Sequence, residues 1–295
     1  MMVRDTTQCY DTSLAGEGSA VDRSRFEQAL RECVESTGID SMDSILIVGG
    51  SYRDANVVYR AGFRRITLSN IEPMADAEKT FLKEAELTVV YADLESLSFP
   101  DGSFNVVLAH EVLHHCRSPH RALLEMLRVS RRHVILMEPN DSLSMRALIR
   151  MQLSFPYELP AVTANNYQKG GVQNSSIPNY IYRWDRRGIF QATAAFLPES
   201  EFTLNVRQYW DFNVDEQELA KRSETRIGSI TKIFGPGVFL AGLRFVQLVM
   251  NSLPSLSAQG NKFFACINKQ DKLKPWIINN EGKLDFNRLY RTAGD

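Results

Sequence analysis

The chain has 295 residues, 44% of them hydrophobic and 23% charged, so it can bury a sizeable core as one large domain or as a core with an accessory part. Its net charge of −1 supplies no basic field of the kind that draws nucleic acid. Cys9, Cys33, Cys116 and Cys266 are scattered, with no CxxC pair and no histidine at metal-ligand spacing; they read as reduced thiols of a cytoplasmic protein, not as a disulfide framework or a zinc site.

Residues 1–21 hold no apolar stretch of signal-peptide length and read as a polar leader. Over "DRSRFEQALRECVEST", Phe26, Ala29, Leu30, Cys33 and Val34 recur at helical spacing, with Asp22 or Ser24 to cap the start and Gly38 to end it. Apolar runs then alternate with helical patterns. "SILIVGG" is a strand, "DANVVYRAGF" a helix, "RRITLSN" a second strand, and "PMADAEKTFLKEAE" a helix with Pro73 in its first turn. "LTVVYAD" and, after the turn "FPDGS", "FNVVLAH" are strands three and four; "SPHRALLEMLRVS" is a helix and "RHVILMEPN" strand five. Strands separated by helix-length segments imply βαβ units and a doubly wound, mostly parallel sheet.

After residue 141 the rhythm breaks. "SLSMRALIRMQLSF" is helical in pattern, but residues 156–183 are rich in Asn, Pro, Gly and Tyr. An irregular stretch of that length is expected to be a lid or binding loop, and Tyr157, Tyr167, Tyr180, Tyr182 and Trp184 either shape an acceptor pocket or pack as core. "WDRRGIFQATAAFLP" is a helix, and "FTLNVRQYW" and "KFFACINKQ" are late strands. The apolar run over 230–254 is interrupted by Arg244 and opened by Gly235-Pro236-Gly237, which argues against a transmembrane span; residues 238–252 instead suit a dimer interface or an apolar surface such as lipid. The resulting division is a leader (1–21), a cofactor-binding core (22–141), a lid and helical accessory region inserted around the late strands (142–255), a late strand completing the sheet (256–270) and a tail without assigned structure (271–295).

Ligands of open parallel sheets sit outside the carboxyl ends of the strands, where strand order reverses. The residues at those ends are Gly49-Gly50, Asn70 to Glu72, Asp93, His110-Glu111 and Glu138 to Asn140, polar apart from the glycines and Ile71 and Pro139. With that frame in place, the block "VVYADLESLSFPDGSFNVVLAHEVLHHCRSPHRALLEMLRVSRRHVILMEPN" resembles the class I S-adenosylmethionine-dependent methyltransferases, closest to the group with an "SFDVV…LHH" signature, over roughly residues 44–141. The resemblance implies a seven-stranded Rossmann-like fold and S-adenosyl-L-methionine as cofactor. It matches Asp93, beside Leu94, to the adenine-binding carboxylate, although the same side chain also suits a helix cap. It matches His110 and Glu111 to the methionine end, and Gly49, with Gly50 and Ser51, to the glycine loop.

Departures from the family pattern are concentrated in that loop. Ile47 stands where the first strand usually carries an acid, and Ser51 and Arg53 replace the second and third glycines. Asn70 takes the place of the ribose-binding acid, and Glu72, two residues on, has the carboxylate that Asn70 lacks. A cofactor without a diphosphate tolerates such a loop better than a nicotinamide dinucleotide does, so an oxidoreductase is the weakest reading. The leading expectation is methyl transfer to a small-molecule or glycan acceptor, at oxygen if His110, His114 or His115 serves as base. The second is a methyltransferase-like scaffold that has lost catalysis.

Overall fold

The computed structural model describes residues 20–72, 85–212 and 235–290. The leader with Cys9, and nearly all of the helix expected over 73–86, lie outside the described residues.

Seven strands form one sheet: β1 (Ser44–Val48), β2 (Arg65–Asn70), β3 (Glu86–Tyr91), β4 (Phe104–His110), β5 (Ser130–Pro139), β6 (Ser200–Tyr209) and β7 (Lys262–Leu273). Their order is β3-β2-β1-β4-β5-β7-β6. The first five are mutually parallel, whereas β7 runs antiparallel to both β5 and β6. This is the Rossmann-like sheet expected from the alternating pattern. The chain winds outward from β1 through β2 to β3, then crosses back to place β4 on the other side of β1. The reversal opens a crevice at the carboxyl ends of β1 and β4.

Alternation along the strands divides the core between two faces. Ile45, Ile47, Val106 and Leu108 pack toward α1 (Ala20–Thr37) and α2 (Tyr52–Arg60). Leu46, Val48, Val107 and Ala109 pack on the opposite side, toward α3 (Pro119–Val129) and, past β7, α6 (Arg186–Phe196). Helix α3 starts where Ser118 accepts the Arg121 N–H and Pro119 fills the first turn; Asp185 caps α6 by accepting the Gly188 N–H.

Between β5 and α6 the chain leaves the sheet and returns to the same point. Trp184 N–H donates to Pro139 O, Asp141 N–H to Trp184 O, and Asn140 bridges Trp184. The excursion holds α4 (Leu143–Arg150), the short α5 (Leu159–Ala164) and a 3₁₀ turn at Val172–Asn174, so the stretch read as irregular carries two small helical pieces.

Helix α7 (Pro236–Ser252) has unusual polarity and is followed by α8 (Pro254–Ser257). Gln247 is buried, accepting the Phe212 N–H, and Asn251 both accepts the Trp210 N–H and donates to Trp210 O. Val238, Phe245, Leu248 and Val249 face out. Among the described residues no helix is long and apolar enough to cross a membrane. The tail, left unassigned from sequence, forms a hairpin of β8 (Ile277–Asn280) and β9 (Lys283–Phe286).

Candidate functional site

At the end of β1 the chain turns through Gly49 with φ +59°, where a Cβ would lie 2.2 Å from Val112 Cγ2. Only glycine fits there. Ser51 caps α2, and both its N–H and its hydroxyl donate to Asp54 Oδ2, at 2.8 and 2.7 Å. The other oxygen of Asp54 sits 2.9 Å from His110 Nδ1. Burial pushes the Asp54 carboxyl up, but the His110 hydrogen bond and charge together with Ser51 outweigh it and hold the group at about 2. His110 shares the strand face of Val106 and Leu108 and stacks on Phe26, with ring centroids 4.2 Å apart.

The end of β2 is tied to the same turn. Asn70 Nδ2 donates to Gly50 O at 3.0 Å, and Asn70 Oδ1 accepts the Glu72 N–H at 3.2 Å. Glu72 pairs at 3.3 Å with Lys169, which comes from the excursion. After β3, Asp93 Oδ1 accepts the Glu95 N–H at 2.9 Å, fixing an exposed carboxylate next to the buried Leu94. Glu95 in turn accepts the N–H groups of Arg117 and Ser118, joining this corner to the start of α3.

Beyond β4, Glu111 takes φ +51° and pairs with Lys262 at the start of β7. Burial raises the Glu111 carboxyl, but the Lys262 ammonium outweighs it and brings the group to about 2. The following turn, Leu113–His115, hangs on one side chain. Glu138, fully buried at the end of β5, accepts the Val112 and Leu113 N–H groups through Oε1 at 2.8 Å each, and its Oε2 lies 2.7 Å from His114 Nδ1. On the other edge of that ring, His114 Nε2 is 3.3 Å from Glu158 of the excursion. Burial pulls His114 down, but the two carboxylates prevail and raise it to about 10, so this ring is an imidazolium at neutral pH. His115 moves the other way: burial and the neighbouring His114 charge lower it. Its Nδ1 is 3.4 Å from Gly171 O and its Nε2 is 3.4 Å from Glu158 Oε2.

These strand ends meet around a cavity of about 250 Å³. Gly49, Asn70, Glu72, Asp93, Leu94, Glu111 and His115 line it, while Gly50, Ser51, His110 and His114 do not. Glu95, Val112, Gln173 and Asn174 also line it and were not marked by their sequence. Gln173 is anchored by Arg117 at 2.8 Å and reaches Glu95 at 3.3 Å, which holds the excursion against the cavity mouth. Trp184 is buried in the core, packed on Tyr182 and His120, whereas Tyr157, Tyr167 and Tyr180 are exposed.

Among the described residues the lining includes four carboxylates, Glu72, Asp93, Glu95 and Glu111, of which Glu72 is paired with Lys169 and Glu111 with Lys262. Such a wall accepts hydrogen bonds from hydroxyls and amines and is a poor fit for a diphosphate.

Residues 48–137 match the family described as methyltransferase domain. No curated protein matches the chain by sequence. Among solved structures the chain is similar to the complex of the Haloferax volcanii Trm112 methyltransferase activator with a methyltransferase (12% identity, 84% of this chain and 91% of that one, TM-score 0.49). It is also similar to a SAM-dependent methyltransferase from Archaeoglobus fulgidus (12% identity, 84% and 94%, TM-score 0.46). A third is the magnesium protoporphyrin IX methyltransferase of Synechocystis with bound SAH (14% identity, 64% and 83%, TM-score 0.43).

Proposed function

We propose that the chain, whose residues 48–137 match a methyltransferase domain, is a class I S-adenosylmethionine-dependent methyltransferase that methylates an oxygen of a small-molecule or glycan acceptor. The observation that carries this reading is the convergence of Gly49, Asn70, Glu72, Asp93 and Glu111, the ends of successive strands, on one carboxylate-lined cavity. The cofactor offers hydroxyls and amines and carries no diphosphate, in keeping with that lining. It supplies a methyl group already activated on a sulfonium.

What remains for the protein is alignment, water exclusion and contact with the acceptor. In this reading the Asp93 carboxylate accepts the exocyclic amine of adenine while Leu94 packs beside the ring. Glu72 takes the ribose hydroxyls, with Asn70 spending its amide on holding the corner to Gly50. The Gly49 turn leaves room for close backbone approach, and Glu111 faces the methionine end. The excursion between β5 and α6 serves as a lid, and Lys169, Gln173 and Asn174 draw residues 156–183 over the cavity.

Of the three candidate histidines, His115 is the one on the cavity wall and so stands on the acceptor side. His114 is fastened between Glu138 and Glu158, and His110 is engaged with Asp54 and Phe26. A second reading, a methyltransferase-like scaffold with a degenerate cofactor loop that has lost catalysis, draws on the engagement of Asn70 in backbone contacts.

Incubation with the cofactor and a panel of hydroxyl-, amine- and carbon-acceptor compounds, followed by mass spectrometry, tests the proposal. A product heavier by one CH₂ unit, with fragmentation placing it on oxygen, supports it. Transfer to nitrogen or carbon alone overturns the oxygen assignment, and cofactor binding with no transfer to any class favours the scaffold.

A further inference from the structure

We propose that His114, His115 and Glu158 form a binding site for one divalent transition-metal ion of the zinc class. One ligand atom from each residue lies within 4.8 Å of the other two. Glu158 Oε2 stands 3.3 Å from His114 Nε2 and 3.4 Å from His115 Nε2. A tetrahedral ion with bonds of about 2.0–2.1 Å to nitrogen and oxygen has ligand-to-ligand edges of about 3.3–3.4 Å. Two edges of that tetrahedron are therefore already in place.

The surroundings are built as a metal site needs them. Zinc-binding histidines use one ring nitrogen for the ion and give the other N–H to a carboxylate or a carbonyl. Here His114 presents Nδ1 to the Glu138 carboxylate at 2.7 Å, and His115 presents Nδ1 to Gly171 O at 3.4 Å. Both Nε2 atoms are thus turned toward Glu158. Glu138 is itself fixed by two backbone N–H groups. Glu158 is steadied by Asn179, whose buried amide reaches both the Glu158 carboxylate, at 3.1 Å, and His114 O, at 3.0 Å. Two imidazoles and a carboxylate suit zinc and its neighbours in the first transition row better than magnesium or calcium.

Three protein ligands leave one coordination position for water or another oxygen donor, the arrangement of working rather than purely structural zinc sites. His115 also lines the cofactor cavity, so the ion would sit at its edge. Glu158 opens α5 of the excursion, whereas the histidines belong to the turn after β4. The ion would therefore fasten the excursion to the cavity wall, and His115 would act as a ligand. In its absence the same three side chains are held by hydrogen bonds and ion pairs, and the incoming ion displaces the Nε2 proton that His114 shares with Glu158. The site does not depend on the identity of the acceptor or on methyl transfer.

The test uses the full chain, freed of metal by chelator and dialysed against zinc, with bound ion counted by plasma mass spectrometry. The expected result is one zinc per chain, with affinity falling at least tenfold in His115→Ala and in Glu158→Gln. Glu138→Gln, which keeps an oxygen for the Val112 and Leu113 N–H groups but removes the carboxylate facing His114, should weaken binding by about 10–100-fold. His120→Ala, a histidine that instead meets Tyr182, should leave the affinity unchanged. Cobalt loading should give the strong visible bands of a tetrahedral ion, and these should shift in Glu158→Gln. Circular dichroism keeps the variants interpretable, because His115 and Glu158 are only partly buried and their replacement leaves the core intact. Failure to take up stoichiometric zinc, or uptake that neither His115→Ala nor Glu158→Gln diminishes, overturns the proposal.

Discussion

Replacing Gly49 with alanine tests the reading of the drifted glycine loop. Two costs follow from the structure. The residue has φ +59°, a conformation that costs an L side chain about 1–2 kcal/mol. The new Cβ would also stand 2.2 Å from Val112 Cγ2. Val112 cannot simply step back, because its N–H is bonded to Glu138 and its branched side chain has few rotamers. Relief of such overpacking costs about 1–3 kcal/mol. The sum, about 2–5 kcal/mol, should appear as lost folding stability in urea denaturation. Affinity for the cofactor responds mainly to the second cost, since Val112 is part of the cavity wall and its displacement narrows the cavity. A loss of about 1–3 kcal/mol corresponds to roughly fivefold to more than a hundredfold weaker binding, read by calorimetry. The double variant Gly49→Ala/Val112→Ala should recover affinity while retaining the backbone strain. Unchanged stability and affinity in Gly49→Ala would refute the steric argument, and failure of the second substitution to restore binding would refute the role given to Val112.

Three further expectations concern the frame of the site. Asp54 and Glu111 both titrate lower in the folded chain than unfolded carboxyls do, so they add stability at neutral pH that disappears as the pH falls from about 4 toward 2. Asp54 contributes about 2 kcal/mol of it, and Asp54→Asn should flatten the acid side of a Tm-versus-pH curve; an unaltered curve would contradict the His110 pairing. Glu138→Ala should destabilise the fold by about 3–5 kcal/mol, because it strands two backbone N–H groups and an imidazolium in the interior, and a loss under 1 kcal/mol in chemical denaturation would show that the turn does not rest on it. The exposed apolar residues of α7 should be covered in solution by a second chain or a lipid surface: light scattering that finds only monomer, together with no sedimentation with liposomes, would remove both.

The centre of the sheet was legible because parallel strands buried on both faces appear as short apolar runs, whereas the half-buried edge strands β3 and β6 mix polar and apolar residues and were found by their place in the alternation. The cavity corner was legible for a related reason, since polar residues follow immediately where those runs stop. Other features depend on contacts between distant segments. Glu138 looked like one more polar strand end, yet it supports a turn that lies more than twenty residues earlier in the chain. Glu158 and Lys262 reach the site from an irregular stretch and from a late strand, and no local pattern announces either. The turning of His110 toward α1 was recoverable, because it shares the parity of Val106 and Leu108 along β4. The tail hairpin carried one faint signal, the Glu281-Gly282 pair, both with positive φ as a tight two-residue hairpin loop requires. The orientation of α7 could not be read at all, because a helix with apolar residues on most sides does not say which of them face in.

The most direct test is calorimetric titration of the intact protein with S-adenosylmethionine, beside Asp93→Ala. Saturable binding by the unaltered chain is expected, weakened in the variant by about 1.5–3 kcal/mol as a carboxylate hydrogen bond to adenine is lost. No heat of binding at millimolar cofactor would contradict the adenosyl assignment of the cavity, and equal affinity in the two proteins would contradict the place given to Asp93.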